Sequence, residues 1–149
     1  MNLLLGIGNT LLGDDGIGCY VAAHLDAEGW TSIDCGTAPE NFTGVVRRKA
    51  PRLLILVDAA ELGLLPGDIR RIPRDLIGSV GFGTHQLPLG HLIDFLSYAA
   101  EEIELIGVQP LQREPGERLS EAAQEGADAL IEIIKRGTIS RIPTHKIKM

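Results

Sequence analysis

The sequence predicts an α/β fold in which parallel strands are joined by crossover helices, and three observations carry that prediction. Short unbroken apolar runs, of which residues 53–57 (LLILV) are the clearest, are too short for helices and too continuous for strands with one wet face. Between them lie stretches whose apolar residues recur at helical spacing. Turns rich in Gly and Asp follow the runs, as expected where a strand hands the chain to a helix.

In chain order, residues 3–7 form a first buried strand, a turn reading GIGNTLLGDDGIG follows, and a helix spans about 17–27. Residues 32–35 make a short second strand. Thr37 followed by Glu40 has the spacing of a capping box, and Pro39 is tolerated in the first turn of a helix running toward Arg48. Residues 53–57 form the central strand, ending at Asp58, and residues 68–72 a more polar one. A loop containing Gly78, Gly81 and Gly83 leads to His85, and Leu89, Leu92, Ile93 and Leu96 then mark an amphipathic helix to about Glu101. Residues 104–108 give the last strand. A final helix over 120–136 stops at Gly137, with Ala123, Ala127, Leu130 and Ile134 on one stripe and Gly126 permitting close packing.

These elements fill one domain, residues 1–136, followed by a basic tail, 137–149, expected to be loose. The formal net charge of −6 and an aromatic share of 4% supply neither the positive surface nor the stacking rings that nucleic acid requires. No apolar run approaches a membrane span, and the first strand begins where an export leader would stand. Two cysteines, Cys19 and Cys35, suit neither a disulfide framework nor a zinc site and read as reduced thiols. A cytoplasmic monomer is the expectation.

Chemistry is expected where strands end. The first turn offers Gly6 and Gly8 to a dinucleotide fingerprint, but Leu11 stands where its third glycine belongs, and two carboxylates enter where pyrophosphate would sit. Asp14 and Asp15 point instead to a cation, one of them capping the following helix; the cap is assigned to Asp14 and the ligand role to Asp15. Asp58 ends an apolar strand, the position from which open α/β sheets present groups to ligands. His85 is placed by a glycine-rich loop to face the same cleft, whereas His24 and His91 fall in helical patterns and His145 in the tail. Two carboxylates and one imidazole from three loops make an O,O,N set for a borderline divalent ion such as nickel or zinc.

The ordered blocks GIGNTLLGDDGIG, GTAPEN at 36–41, LVDAAELG at 56–63, THQLPL at 84–89 and GVQP at 107–110 resemble the hydrogenase maturation endopeptidases. The likeness is nearest to the type that processes the large subunit of the formate-hydrogenlyase hydrogenase, and it weakens over 111–119. It implies a three-layer sandwich with a mostly parallel, twisted five-stranded sheet of phosphorylase/hydrolase-like type. It also implies metal contacts at Asp15, Asp58 and His85, though many relatives carry Glu at the first. The implied substrate is a nickel-loaded [NiFe]-hydrogenase large-subunit precursor, from which a C-terminal peptide is removed. Nickel would then be carried by the substrate, with no tightly bound cofactor in the protease. A peptidase or amidohydrolase with a resident metal, and a noncatalytic metal-sensing chaperone, are the competing readings.

Overall fold

The computed structural model describes residues 1–83 and 88–147. Strands β1 (Asn2–Gly6), β2 (Trp30–Asp34), β3 (Leu53–Glu61), β4 (Ile69–Arg71) and β6 (Glu102–Val108) form a sheet in the order β2-β1-β3-β6-β4, and the short β5 (Gly81–Phe82) pairs with the end of β3. Four strands are parallel, and β4 runs antiparallel to β6 at the edge. The helices are α1 (Ile17–His24), α2 (Thr43–Lys49), α3 (Leu89–Leu96) and α4 (Glu121–Lys135).

Two apolar layers cover the sheet, and the period of two along β3 sorts its side chains between them. Leu53, Ile55, Val57 and Ala59 share a cluster with Ile17 and Val21 of α1 and Ala127, Leu130 and Ile134 of α4. Leu54, Leu56 and Ala60 join Val46 of α2 and Leu89, Leu92 and Leu96 of α3 on the opposite face. Both faces of β3 are therefore dry, which is why its sequence is apolar without alternation. Asp58 falls in the second series, between Leu56 and Ala60, and is fully buried.

Two glycines let helices pack against backbone at close range. A Cβ on Gly18 of α1 would collide with the carbonyl oxygens of Ile7 and Val57, so α1 lies directly on β1 and β3. Gly126 of α4 meets the Gly67 backbone in the same way, as its place within the helix predicted.

Several local expectations are corrected. The Thr37–Glu40 capping box does not form: Ala38, restricted by the proline after it, has φ −132° and ψ 62°, Pro39–Phe42 is a 3₁₀ turn, and α2 starts at Thr43. Helix α1 ends at His24, where Leu25 turns extended, and α3 ends at Leu96, where the Ser97 hydroxyl donates to the Asp94 carbonyl at 2.6 Å. Strand β3 does not end at Asp58, because Ala60 and Glu61 continue it by pairing with Phe82 and Gly81. Residues 139–145, in the segment expected to be loose, are packed against the domain. Ile139 and Ile142 are buried, Arg71 Nε donates to the Ile142 carbonyl at 2.9 Å, and the His145 amide donates to the Arg71 carbonyl at 2.8 Å. An edge strand leaves backbone groups open, and two isoleucines supply the apolar area that draws this segment onto it.

Candidate active site

The strand order makes β1 the point of reversal: from it the chain moves outward to β2, then returns to β3 on its other side. Helices α1 and α2 consequently cover opposite faces, leaving a crevice outside the carboxyl ends of β1 and β3. The turn after β1 and the end of β3 supply Asp15 and Asp58 to this crevice.

Asp14 and Asp15 lie in a 3₁₀ turn, Gly13–Gly16, and both are buried. Gly8 packs against this turn so closely that a Cβ there would collide with the Asp15 carbonyl. The second glycine of the apparent dinucleotide motif thus serves chain packing rather than approach of a phosphate.

Asp14 does not cap α1, whose first turn has no side-chain cap. Its carboxylate accepts from the amides of Leu111 at 2.8 Å, Gln112 at 3.2 Å and Ser120 at 2.7 Å, and from the Ser120 hydroxyl at 2.7 Å. Its own amide donates to the Gln112 carbonyl at 3.0 Å. Asp14 therefore anchors the connection between β6 and α4, where Ser120 caps α4 by accepting from the Ala123 amide at 3.2 Å.

Asp15 points the other way. A methyl group placed on Gly83, just after β5, would lie 3.0 Å from Asp15 Oδ1 and 3.2 Å from Asp58 Oδ1. The two buried carboxylates thus converge on one small volume bounded by the Gly83 backbone, whose amide donates to the Ala59 carbonyl at 3.0 Å. Asp58 Oδ1 also accepts from the Ala59 amide at 2.8 Å, which fixes its rotamer. Two like-charged oxygens facing one point repel unless a cation or a proton stands between them, and two carboxylates are suitable hard donors for a divalent ion. His85 lies outside the described residues. Among the described residues no group of three or more His, Cys, Asp and Glu side chains is arranged to hold an ion.

Sequence reasoning missed two residues here. Arg113 places Nε 2.8 Å from Asp15 Oδ1, with its side chain 31% exposed against 5% for Asp15. Gln109 is buried at the carboxyl end of β6; its Oε1 accepts from the Leu62 and Leu64 amides at 2.7 and 3.3 Å, and its Nε2 donates to Glu61 at 3.0 Å. It ties the end of β3 to β6. Gln109 stood in the GVQP block, a signal that could have marked it, but Arg113 stood in the stretch where the likeness is weakest.

Cys19 is buried beside the crevice, its thiol 3.5 Å from the Gly8 carbonyl. Burial pushes that thiol far above its ordinary range, with Asp34 and Asp58 adding to the effect, which favours the protonated thiol in the metal-free protein. Cys35 is pushed up to about 12, chiefly by burial. His24 stacks on Tyr20 with ring centroids 4.0 Å apart, away from the carboxylate pair, as its helical position predicted.

An α/β sheet with buried acids at its switch point marks a candidate ligand or catalytic site, and likeness to known proteins gives the class. Residues 19–136 match the family model described as HycI, hydrogenase maturation protease. The Escherichia coli K12 hydrogenase 3 maturation protease is 41% identical over 113 residues, covering 73% of this chain and 72% of that protein. Endopeptidase HycI from Escherichia coli superposes with a TM-score of 0.90 at 30% identity over 100% and 99% of the two chains. The Thermococcus kodakarensis [NiFe] hydrogenase maturation protease HycI gives 0.80 at 31% identity over 92% and 91%. The chain belongs to the hydrogenase maturation protease family and is a peptide hydrolase. The expected three-layer, mostly parallel α/β fold is that of these structures. No helix among the described residues is long and apolar enough to cross a membrane.

Proposed function

We propose that the protein removes a C-terminal peptide from a [NiFe]-hydrogenase large-subunit precursor after nickel insertion, recognising the nickel through Asp15, Asp58 and His85. The observation that carries this reading is the convergence of two buried carboxylates at Gly83 in a chain of this family. Nickel belongs to the substrate in this scheme. A loaded precursor brings positive charge to the carboxylate pair and gains affinity there, while an unloaded one does not. The protein's part is to hold the oxygens in place and align the scissile peptide, so that the reaction becomes effectively intramolecular. The attacking water or the scissile carbonyl is polarised by the ion or by a carboxylate.

The test is to incubate the protein with nickel-loaded and nickel-free precursor and follow the precursor's mass. The loaded form is expected to lose its C-terminal peptide and the nickel-free form to remain intact. Equal cleavage of both would refute nickel recognition, and a docked precursor of unchanged mass would favour a chaperone over a protease.

A further inference from the structure

We propose that Arg113 is a built-in counter-cation of the carboxylate pair: its guanidinium competes with any divalent ion for Asp15, so that free metal binds weakly and must displace it. The inference rests on the reading that Asp15 and Asp58 receive a cation.

The atom that Arg113 engages decides the matter. Its Nε lies 2.8 Å from Asp15 Oδ1, the same oxygen that stands within about 3 Å of the point shared with Asp58 Oδ1. An ion bridging the two carboxylates at that point is nearest to that oxygen, so ion and guanidinium draw on the same negative charge, the Arg113 contact being a close ion pair rather than an aligned hydrogen bond.

The placement of Arg113 is built in by its neighbours. The Gln112 amide and carbonyl are both bonded to Asp14, at 3.2 and 3.0 Å, which fixes the backbone one residue before Arg113 against the residue before Asp15. The Gly116 amide donates to the Leu11 carbonyl at 2.8 Å, and the Gly13 amide to the Gly116 carbonyl at 2.8 Å, closing the same loop on the same turn. Consecutive aspartates therefore divide the work: Asp14 holds the loop, and Asp15 takes the charge that the loop carries. The Arg113 side chain is 31% exposed overall, but its Nε and one terminal nitrogen are buried, so displacement means swinging the guanidinium outward. Burying two facing carboxylates is unfavourable without a positive partner, and the guanidinium supplies one in the metal-free protein.

Full-length wild-type protein, Arg113→Met and Arg113→Lys are titrated with nickel chloride and with zinc chloride alone by calorimetry. Arg113→Met is expected to bind at least tenfold more tightly than wild type, and Arg113→Lys to bind as weakly as wild type. Adding Asp58→Asn to Arg113→Met should erase the gain. The thermal midpoint gives a second readout: saturating zinc should raise it more in Arg113→Met than in wild type. Arg113→Gln replaces Arg113→Met should the latter not fold. Equal or weaker binding after loss of the guanidinium, or a gain that survives Asp58→Asn, would overturn the proposal. Precursor processing is not read in this experiment. A protein that fails to cleave precursor but shows the tenfold gain refutes the proposed function and leaves the role of Arg113 standing.

Discussion

The body of the sheet and its carboxyl edge are built on opposite rules. Along most of β1 and β3 the interior is Leu, Ile and Val, whereas the buried polar residues described, Asp14, Asp15, Asp58 and Gln109, stand beyond β1, in the second half of β3 or just after β6. That edge is itself divided. Asp14 and Gln109 accept from backbone amides of neighbouring loops, while Asp15 and Asp58 face one another. Burial alone does not tell a structural acid from a functional one; the identity of the donors does.

The largest expected effects separate the adjacent aspartates. Asp15→Asn and Asp58→Asn should each reduce precursor processing at least 100-fold while leaving the urea unfolding midpoint near wild type, because amides remove like-charge repulsion and keep the side-chain shape. Asp14→Asn should do the reverse to stability. An amide presents N–H groups to donors it cannot satisfy, and loss of these charge-assisted bonds should lower unfolding free energy by about 2–4 kcal/mol. Equal stability losses in Asp14→Asn and Asp15→Asn would erase the distinction.

A smaller effect is expected at Gly83. Its backbone is not in the left-handed region, so alanine adds no dihedral strain, but the new methyl would sit 3.0 and 3.2 Å from the two carboxylate oxygens. Gly83→Ala should lower processing about tenfold or more, with a thermal midpoint within a few degrees of wild type. Unaltered processing would mean that the volume between the acids is not where the substrate's ion is received.

The body of the sheet was largely legible in the sequence, because periodicity records which faces are dry. Asp58 could be picked out for the same reason, as an acid that interrupts an apolar run. What was not legible depended on contacts between distant segments. β3 runs past Asp58 because Gly81 and Phe82 return to pair with it, and residues 139–145 lie on β4 because that edge was open. The roles of Asp14 and Asp15 could not be assigned from adjacent letters, since the choice was made by amides about a hundred positions away, at 111, 112 and 120. Arg113 was hidden for the same reason: its chemistry comes from the Asp14 anchor that brings it to Asp15.

The smallest expected effect concerns an acid in the body of the sheet. Glu104 of β6 is 26% exposed at its side chain and has Arg71 of β4 at 3.8 Å. Burial raises its pKa above the ordinary value, Arg71 pulls it back, and Glu102 adds to the rise, leaving it raised. With the folded pKa above the unfolded one, near 4.3 for glutamate, its contribution is most favourable below the unfolded value and is lost as pH rises through the folded one. The charged form therefore opposes folding at neutral pH. Glu104→Gln should raise the thermal midpoint at pH 7 by a few degrees at most, roughly the response of a domain this size to less than 1 kcal/mol. The advantage should fade below about pH 4, where glutamate itself becomes neutral. A midpoint lowered at pH 7 would instead show that the Arg71 pair outweighs burial, placing Glu104 with the satisfied acids of the carboxyl edge.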